Sequence, residues 1–162
     1  MAIGTKKIPI SKVIIGEAEI QAVAEVLRSG HLREGPECEA FEREFAEHVG
    51  ARQALATISG TAALQMAYQA VLQPGDEVIV PSFTFFATAS MAVAVGAVPV
   101  FCDVRADTLT LDLEDAARRV TEKTRAIAPV HLFGNPADVE AVEKLARERR
   151  LSVIWDASQA HG

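Results

Sequence analysis

The sequence predicts an α/β fold: a mostly parallel sheet with helices on both faces. Three observations predict it. After residue 50, short apolar runs alternate with segments of helical periodicity, the order that repeated β-α-β units produce. The runs are nearly continuous in apolar residues, as in strands buried on both faces, rather than alternating apolar with polar. Turn signals such as Gln73-Pro74-Gly75-Asp76 separate one run from the next.

The elements follow in order. Residues 1–16 read as an irregular arm containing Pro9 and Gly16. Glu17–Arg28 is helical by spacing, with Ile20, Val23, Ala24 and Leu27 on one face and Ser29-Gly30 as the stop. Gly35-Pro36 opens a second helix, Glu37–Val49, with Phe41, Phe45 and Val49 one turn apart and Gly50 closing it. This arm and its two helices form residues 1–50, and 51–162 form the sheet domain. There the expected order is strand Ala54–Ile58, helix Thr61–Leu72, strand Val78–Val80, helix Thr84–Val95 and strand Val98–Asp103. Helix Asp112–Val120, with Asp112 as its cap, strand Arg125–Val130, helix Asp138–Arg150 and strand Ser152–Asp156 complete it.

Composition narrows the function. With 162 residues, 49% hydrophobic and 23% charged, the chain can bury a core of its own as a soluble protein. A net charge of −6 argues against nucleic acid or an acidic membrane as partner, since both demand a basic face. Phe83–Cys102 carries no charge and is long enough to span a bilayer, but its hydroxyls and Gly96-Ala97-Val98-Pro99 fit a helix followed by a buried strand better. Cys38 and Cys102 lack metal-ligand or CxxC spacing and read as free thiols in a reducing compartment. The start, Met1 to Lys7, has no apolar core after its charges, so a cytoplasmic protein without a signal peptide is expected.

Four stretches can carry chemistry. Ser59-Gly60-Thr61-Ala62-Ala63 lies between a strand and a helix, where free backbone N–H groups and the helix dipole attract an anion. It lacks P-loop and GxGxxG spacing and suits a single phosphate, while the local sequence alone also fits a plain Ser/Thr helix cap. In Pro81-Ser82-Phe83-Thr84-Phe85-Phe86 one ring can stack on a flat ligand, with Phe83 and Phe86 read as core. Asp156, at a strand end with Gln159 and His161 behind it, fits either a partner for a protonated ring nitrogen or a helix cap. His131, after another strand, faces the same edge as a structural or a catalytic histidine.

Taken together, these motifs resemble the DegT/StrS-type sugar aminotransferases, pyridoxal 5'-phosphate (PLP) enzymes of fold type I. The likeness runs through Gly35-Pro36 with Phe41-Glu42, Ser59 to Leu64, Pro74 to Val78 and Pro81 to Phe85. It continues through Gly96-Ala97 with Pro99-Val100, Pro129 to Gly134, Pro136-Ala137-Asp138 and Asp156 to Gly162. The resemblance implies that Gly60, Thr61 and Ala62 hold the cofactor phosphate and that Phe85 stacks on the pyridine ring. It further implies that Asp156 pairs with the ring nitrogen and that Gln159 contacts the phenolic oxygen. Ser59, His131 and His161 are further candidates, His161 without an assigned role.

By the same resemblance the whole enzyme moves an amino group from glutamate or glutamine to a nucleotide-linked keto sugar and works as a homodimer. The family's Schiff-base lysine follows the Asp-x-x-Gln-x-His-Gly motif by a few dozen residues. Lys6, Lys7, Lys12, Lys123 and Lys144 do not match it, so an N-terminal portion of such an enzyme, inactive alone, is expected. Relatives with histidine at the lysine position are sugar 3-dehydratases, the alternative chemistry; a non-catalytic chain is a third reading.

Overall fold

The structure is a computed structural model that describes Pro9 and residues 12–161. The rest of the arm expected over residues 1–16 lies outside the described residues, as does Gly162. The chain packs as two compact units, residues 1–55 and 56–162.

The first unit holds helices α1 (Glu17–Ser29) and α2 (Pro36–His48). Glu19 accepts a hydrogen bond from the Gly16 N–H at 2.7 Å, which fixes the start of α1, and Gly30 ends it in the left-handed region with φ +74°. Pro36 occupies the first turn of α2, where its missing N–H costs nothing. Phe41 and Phe45 pack ring to ring on that helix at 5.6 Å.

The second unit is a four-stranded parallel sheet in the order β2-β1-β3-β4. Its elements are α3 (Gly60–Val71), β1 (Glu77–Pro81), α4 (Ala87–Ala94), β2 (Val98–Cys102), α5 (Leu113–Arg119), β3 (Thr124–Ile127), α6 (Val139–Arg149) and β4 (Ser152–Val153). Strand residues point alternately to the two faces. Val78, Val80, Ala126, Ala128 and Ile154 join α3 and α4 in one core; Ile79 and Ile127 join α5 and α6 in the other. Burial on both faces is why β1 reads as a continuous apolar run.

Three expectations are corrected. Ala54–Ile58 is not a strand: it joins no ladder among the described residues, and the Thr57 hydroxyl donates to the Ser59 carbonyl at 2.8 Å, turning the chain into α3. The helix expected from Thr84 begins at Ala87, because Ser82 to Phe86 form a turn past the end of β1. Consequently Phe83 and Phe86 are not core: they are 48% and 65% exposed. Phe83–Cys102 resolves into that turn, the short α4 and β2; among the described residues no helix is long and apolar enough to cross a membrane.

Topology places the site. From β1 the chain moves to β2 on one side and then crosses to β3 on the other, so the strand order reverses between β1 and β3. In open α/β sheets, the crevice outside the carboxyl ends of the strands at such a reversal is where ligands bind.

Candidate active site

The cavity at that reversal has a volume of about 280 Å³ and is lined by Gly60, Thr61, Thr84, Phe85, Asp156 and Gln159, among others. Each reaches it from the carboxyl edge of the sheet or from the start of α3.

Ser59 is the N-cap of α3: its Oγ accepts from the Ala62 N–H at 3.2 Å. The Ala63 N–H donates to the Ser59 carbonyl at 3.0 Å, the first full helical turn. The N–H groups of Gly60 and Thr61 precede that turn and have no intrahelical acceptor, and both residues line the cavity. Gly60 is also packed from behind, since a Cβ built on it would stand 3.0 Å from the Ser158 Oγ. A side chain at Gly60 would meet Ser158.

Asp156 extends β4 through its N–H to the Pro129 carbonyl at 3.0 Å, and its own carbonyl accepts from the His131 N–H at 3.0 Å. These bonds hold the carboxylate at the sheet edge, 7% exposed. Three donors meet it. Oδ1 accepts from the Ser158 N–H at 3.2 Å and the Ser158 hydroxyl at 2.7 Å, and Oδ2 from the Thr88 hydroxyl at 3.0 Å. A carboxylate has roughly four acceptor positions, so one remains, on Oδ2. Asp156 is not a helix cap: Ala157 to Ala160 form a turn, not a helix.

Behind Thr88 stands Tyr68, fully buried, whose hydroxyl donates to the Thr88 carbonyl at 2.7 Å. Burial first, and then the negative charge of Asp156, push the Tyr68 phenol up, so it stays a donor.

Gln159 uses its Oε1 to accept from the Phe133 N–H at 2.7 Å, which leaves its amide NH₂ for a ligand. Phe133 holds φ +56°, a conformation costly for a bulky residue, and this bond helps hold it there. Phe85, exposed beside the cavity, packs on Phe86 with ring centroids 4.6 Å apart. His131 borders the cavity, but its Nδ1 accepts from the Ala137 N–H at 3.0 Å and its ring stacks on Trp155 at 5.1 Å. Those contacts fix the orientation of its ring. His161 is exposed and does not border the cavity.

Sequence reasoning missed Thr84, Thr88, Tyr68 and Ser158. The signal for the threonines was present: Thr84 and Thr88 are two hydroxyls close together in an otherwise apolar stretch, although Thr84 lies in the turn before α4 and only Thr88 on the helix.

A family model described as the DegT/DnrJ/EryC1/StrS aminotransferase family matches residues 13–162. The spore coat polysaccharide biosynthesis protein SpsC of Bacillus subtilis is 44% identical over 154 residues, covering 94% of this chain and 40% of that protein. The crystal structure of S. venezuelae DesV in complex with a ketimine intermediate matches with TM-score 0.86 and 45% identity, covering 90% of this chain and 40% of that one. The putative sugar aminotransferase Spr1654 from Streptococcus pneumoniae, in its PMP form, matches with TM-score 0.91 and 33% identity, covering 95% and 43%. The chain thus spans about 40% of the length of the curated relative it matches. With the α/β sheet and the order of motifs shared along nearly its whole length, the chain belongs to the DegT/DnrJ/EryC1/StrS aminotransferase family.

Proposed function

We propose that residues 51–162 are the cofactor-binding part of a PLP-dependent aminotransferase acting on a nucleotide-linked keto sugar. One observation carries this reading: a single cavity joins the open N-terminus of α3 at Gly60 and Thr61 to the buried carboxylate of Asp156 with one acceptor position left. An anion at one end and a protonated ring nitrogen at the other is the demand of a phosphorylated pyridine. A cavity of about 280 Å³ suits a molecule of that size.

In this reading the N–H groups of Gly60 and Thr61 bind the phosphate. Ala62 joins them by exchanging its bond to Ser59. Phe85 stacks on the ring. Asp156 holds the proton on the ring nitrogen, and the Gln159 amide orients the ring through its phenolic oxygen. PLP bound there supplies an electron sink at the amino-bearing carbon. The amino donor is glutamate or glutamine, and the working unit is a cytoplasmic homodimer. The exposed rings of Phe83, Phe86 and Phe133 near the cavity support a partner surface there.

The test is a titration with pyridoxamine phosphate, which needs no lysine to bind. Saturable binding is expected, weakened about tenfold or more in Asp156→Asn, a loss of about 1.4 kcal/mol. Absence of saturable binding, or equal binding by D156N, overturns the proposal.

A further inference from the structure

We infer that Thr88 is a positioning residue: it selects the oxygen of Asp156 that meets the ring nitrogen, and Tyr68 holds Thr88 in place from α3. The inference rests on the reading above, in which Asp156 faces a protonated ring nitrogen.

The argument is one of hydrogen-bond direction. Both donors from Ser158 fall on Oδ1 of Asp156 and so occupy that oxygen. Oδ2 takes the Thr88 hydroxyl and keeps one acceptor position. A hydroxyl has a single proton, and that of Thr88 goes to the carboxylate, which only accepts. The contact between Thr84 Oγ1 and Thr88 Oγ1, at 3.1 Å, therefore runs from Thr84 to Thr88. The chain is ordered: Thr84 hydroxyl to Thr88 hydroxyl to Asp156 Oδ2. With Oδ1 filled and Oδ2 pinned on one side, the carboxylate has a single orientation and a single free lone pair.

Thr88 can do this only if its own place is fixed. It is fully buried on α4, and its carbonyl takes the hydroxyl of Tyr68, also fully buried. Tyr68 and Gly60 lie on the same helix, α3. The element that presents the open N–H groups thus also braces the residue that aims the carboxylate. Through Tyr68 and Thr88, the two ends of the cavity are held at one spacing. Replacing the Thr88 hydroxyl with a methyl group leaves a buried carboxylate oxygen short of a donor and free to turn.

Three probes separate the contributions: pyridoxamine phosphate, its analogue with a C–H in place of the ring nitrogen, and inorganic phosphate. The full chain is expected to prefer pyridoxamine phosphate over the carbon analogue. Thr88→Val should weaken pyridoxamine phosphate about tenfold and remove most of that preference, with inorganic phosphate unchanged. Thr88→Ser, which keeps the hydroxyl, should restore the preference. Tyr68→Phe should reduce it in part. Should T88V fail to fold, Thr88→Ala against T88S makes the same comparison. A purely structural role for Thr88 would lower stability in T88V without changing the preference, and that result overturns the inference alone. A parent chain that binds no pyridoxamine phosphate, or binds it no better than the carbon analogue, overturns the cofactor reading and this inference with it.

Discussion

The close approach of Gly60 to Ser158 gives a quantitative prediction. A Cβ on Gly60 would stand 3.0 Å from the Ser158 Oγ, so in Gly60→Ala that hydroxyl must shift by a few tenths of an ångström, which weakens its other bond. The same hydroxyl donates to Asp156 Oδ1 at 2.7 Å. A hydrogen bond to a charged group is worth about 1.5–3 kcal/mol. Ser158 is solvent-exposed and water replaces part of the bond, which leaves about 1–2 kcal/mol. Alanine recovers about 0.5 kcal/mol of helix propensity in a first turn, below its full interior value. G60A, which weakens the bond without removing it, therefore costs at most about 1.5 kcal/mol, and Ser158→Ala alone about 1–2 kcal/mol. The double variant loses the bond once, because the atom that the new methyl group displaces is gone. Its cost should equal that of S158A less the propensity gain, giving a coupling of up to about 2 kcal/mol between the sites. Urea unfolding of the parent, both single variants and the double variant, with a shared m-value, measures this. Costs that add within about 0.5 kcal/mol refute the reasoning.

Two predictions concern titration. The Arg119 guanidinium beside Asp115, with the Asp103 N–H and Arg118 as further donors, holds the Asp115 carboxyl at about 2 against an ordinary 3.8. A depressed carboxyl stabilises above its ordinary value, and that contribution fades as pH falls through about 2. The parent should therefore lose more stability than Asp115→Asn between about pH 5 and about pH 2.5, as read from urea midpoints; equal losses contradict it. Burial, and then the charge of Asp115, push the Cys102 thiol up to about 12 from 9.0, so its contribution holds below 9.0 and is lost as pH rises through about 12. Native-state alkylation near pH 8 should modify Cys38 first, and Cys102 only after unfolding, as peptide mass mapping would show; prompt labelling of Cys102 would refute it.

Much of the second unit was legible because its signals are local. Asp112 was readable as a cap, and it accepts from the first turn of its helix; Asp138, read as a helical residue, caps its helix in the same way. Pro74-Gly75-Asp76 was readable as a turn, and Asp76 accepts from the Gln73 N–H across it. Ala54–Ile58 misled because a strand exists only where a neighbour takes its hydrogen bonds, and short-range sequence carries no record of the neighbour. Phe83 and Phe86 misled in the same way: three rings in four residues suggest a core, but whether the core reaches them depends on where α4 begins.

The sequence by itself determined the alternation of elements, the parallel class of the sheet and the order of the motifs, since these follow from periodicity, caps and turns within a few residues. Only the tertiary structure decided what Asp156 does. Thr88, which meets it, is far away along the chain, and Tyr68, which braces Thr88, lies on a third element. A carboxylate's remaining lone pair is set by which donors reach the others, and those donors converge only when strand β4, helix α4 and helix α3 pack together.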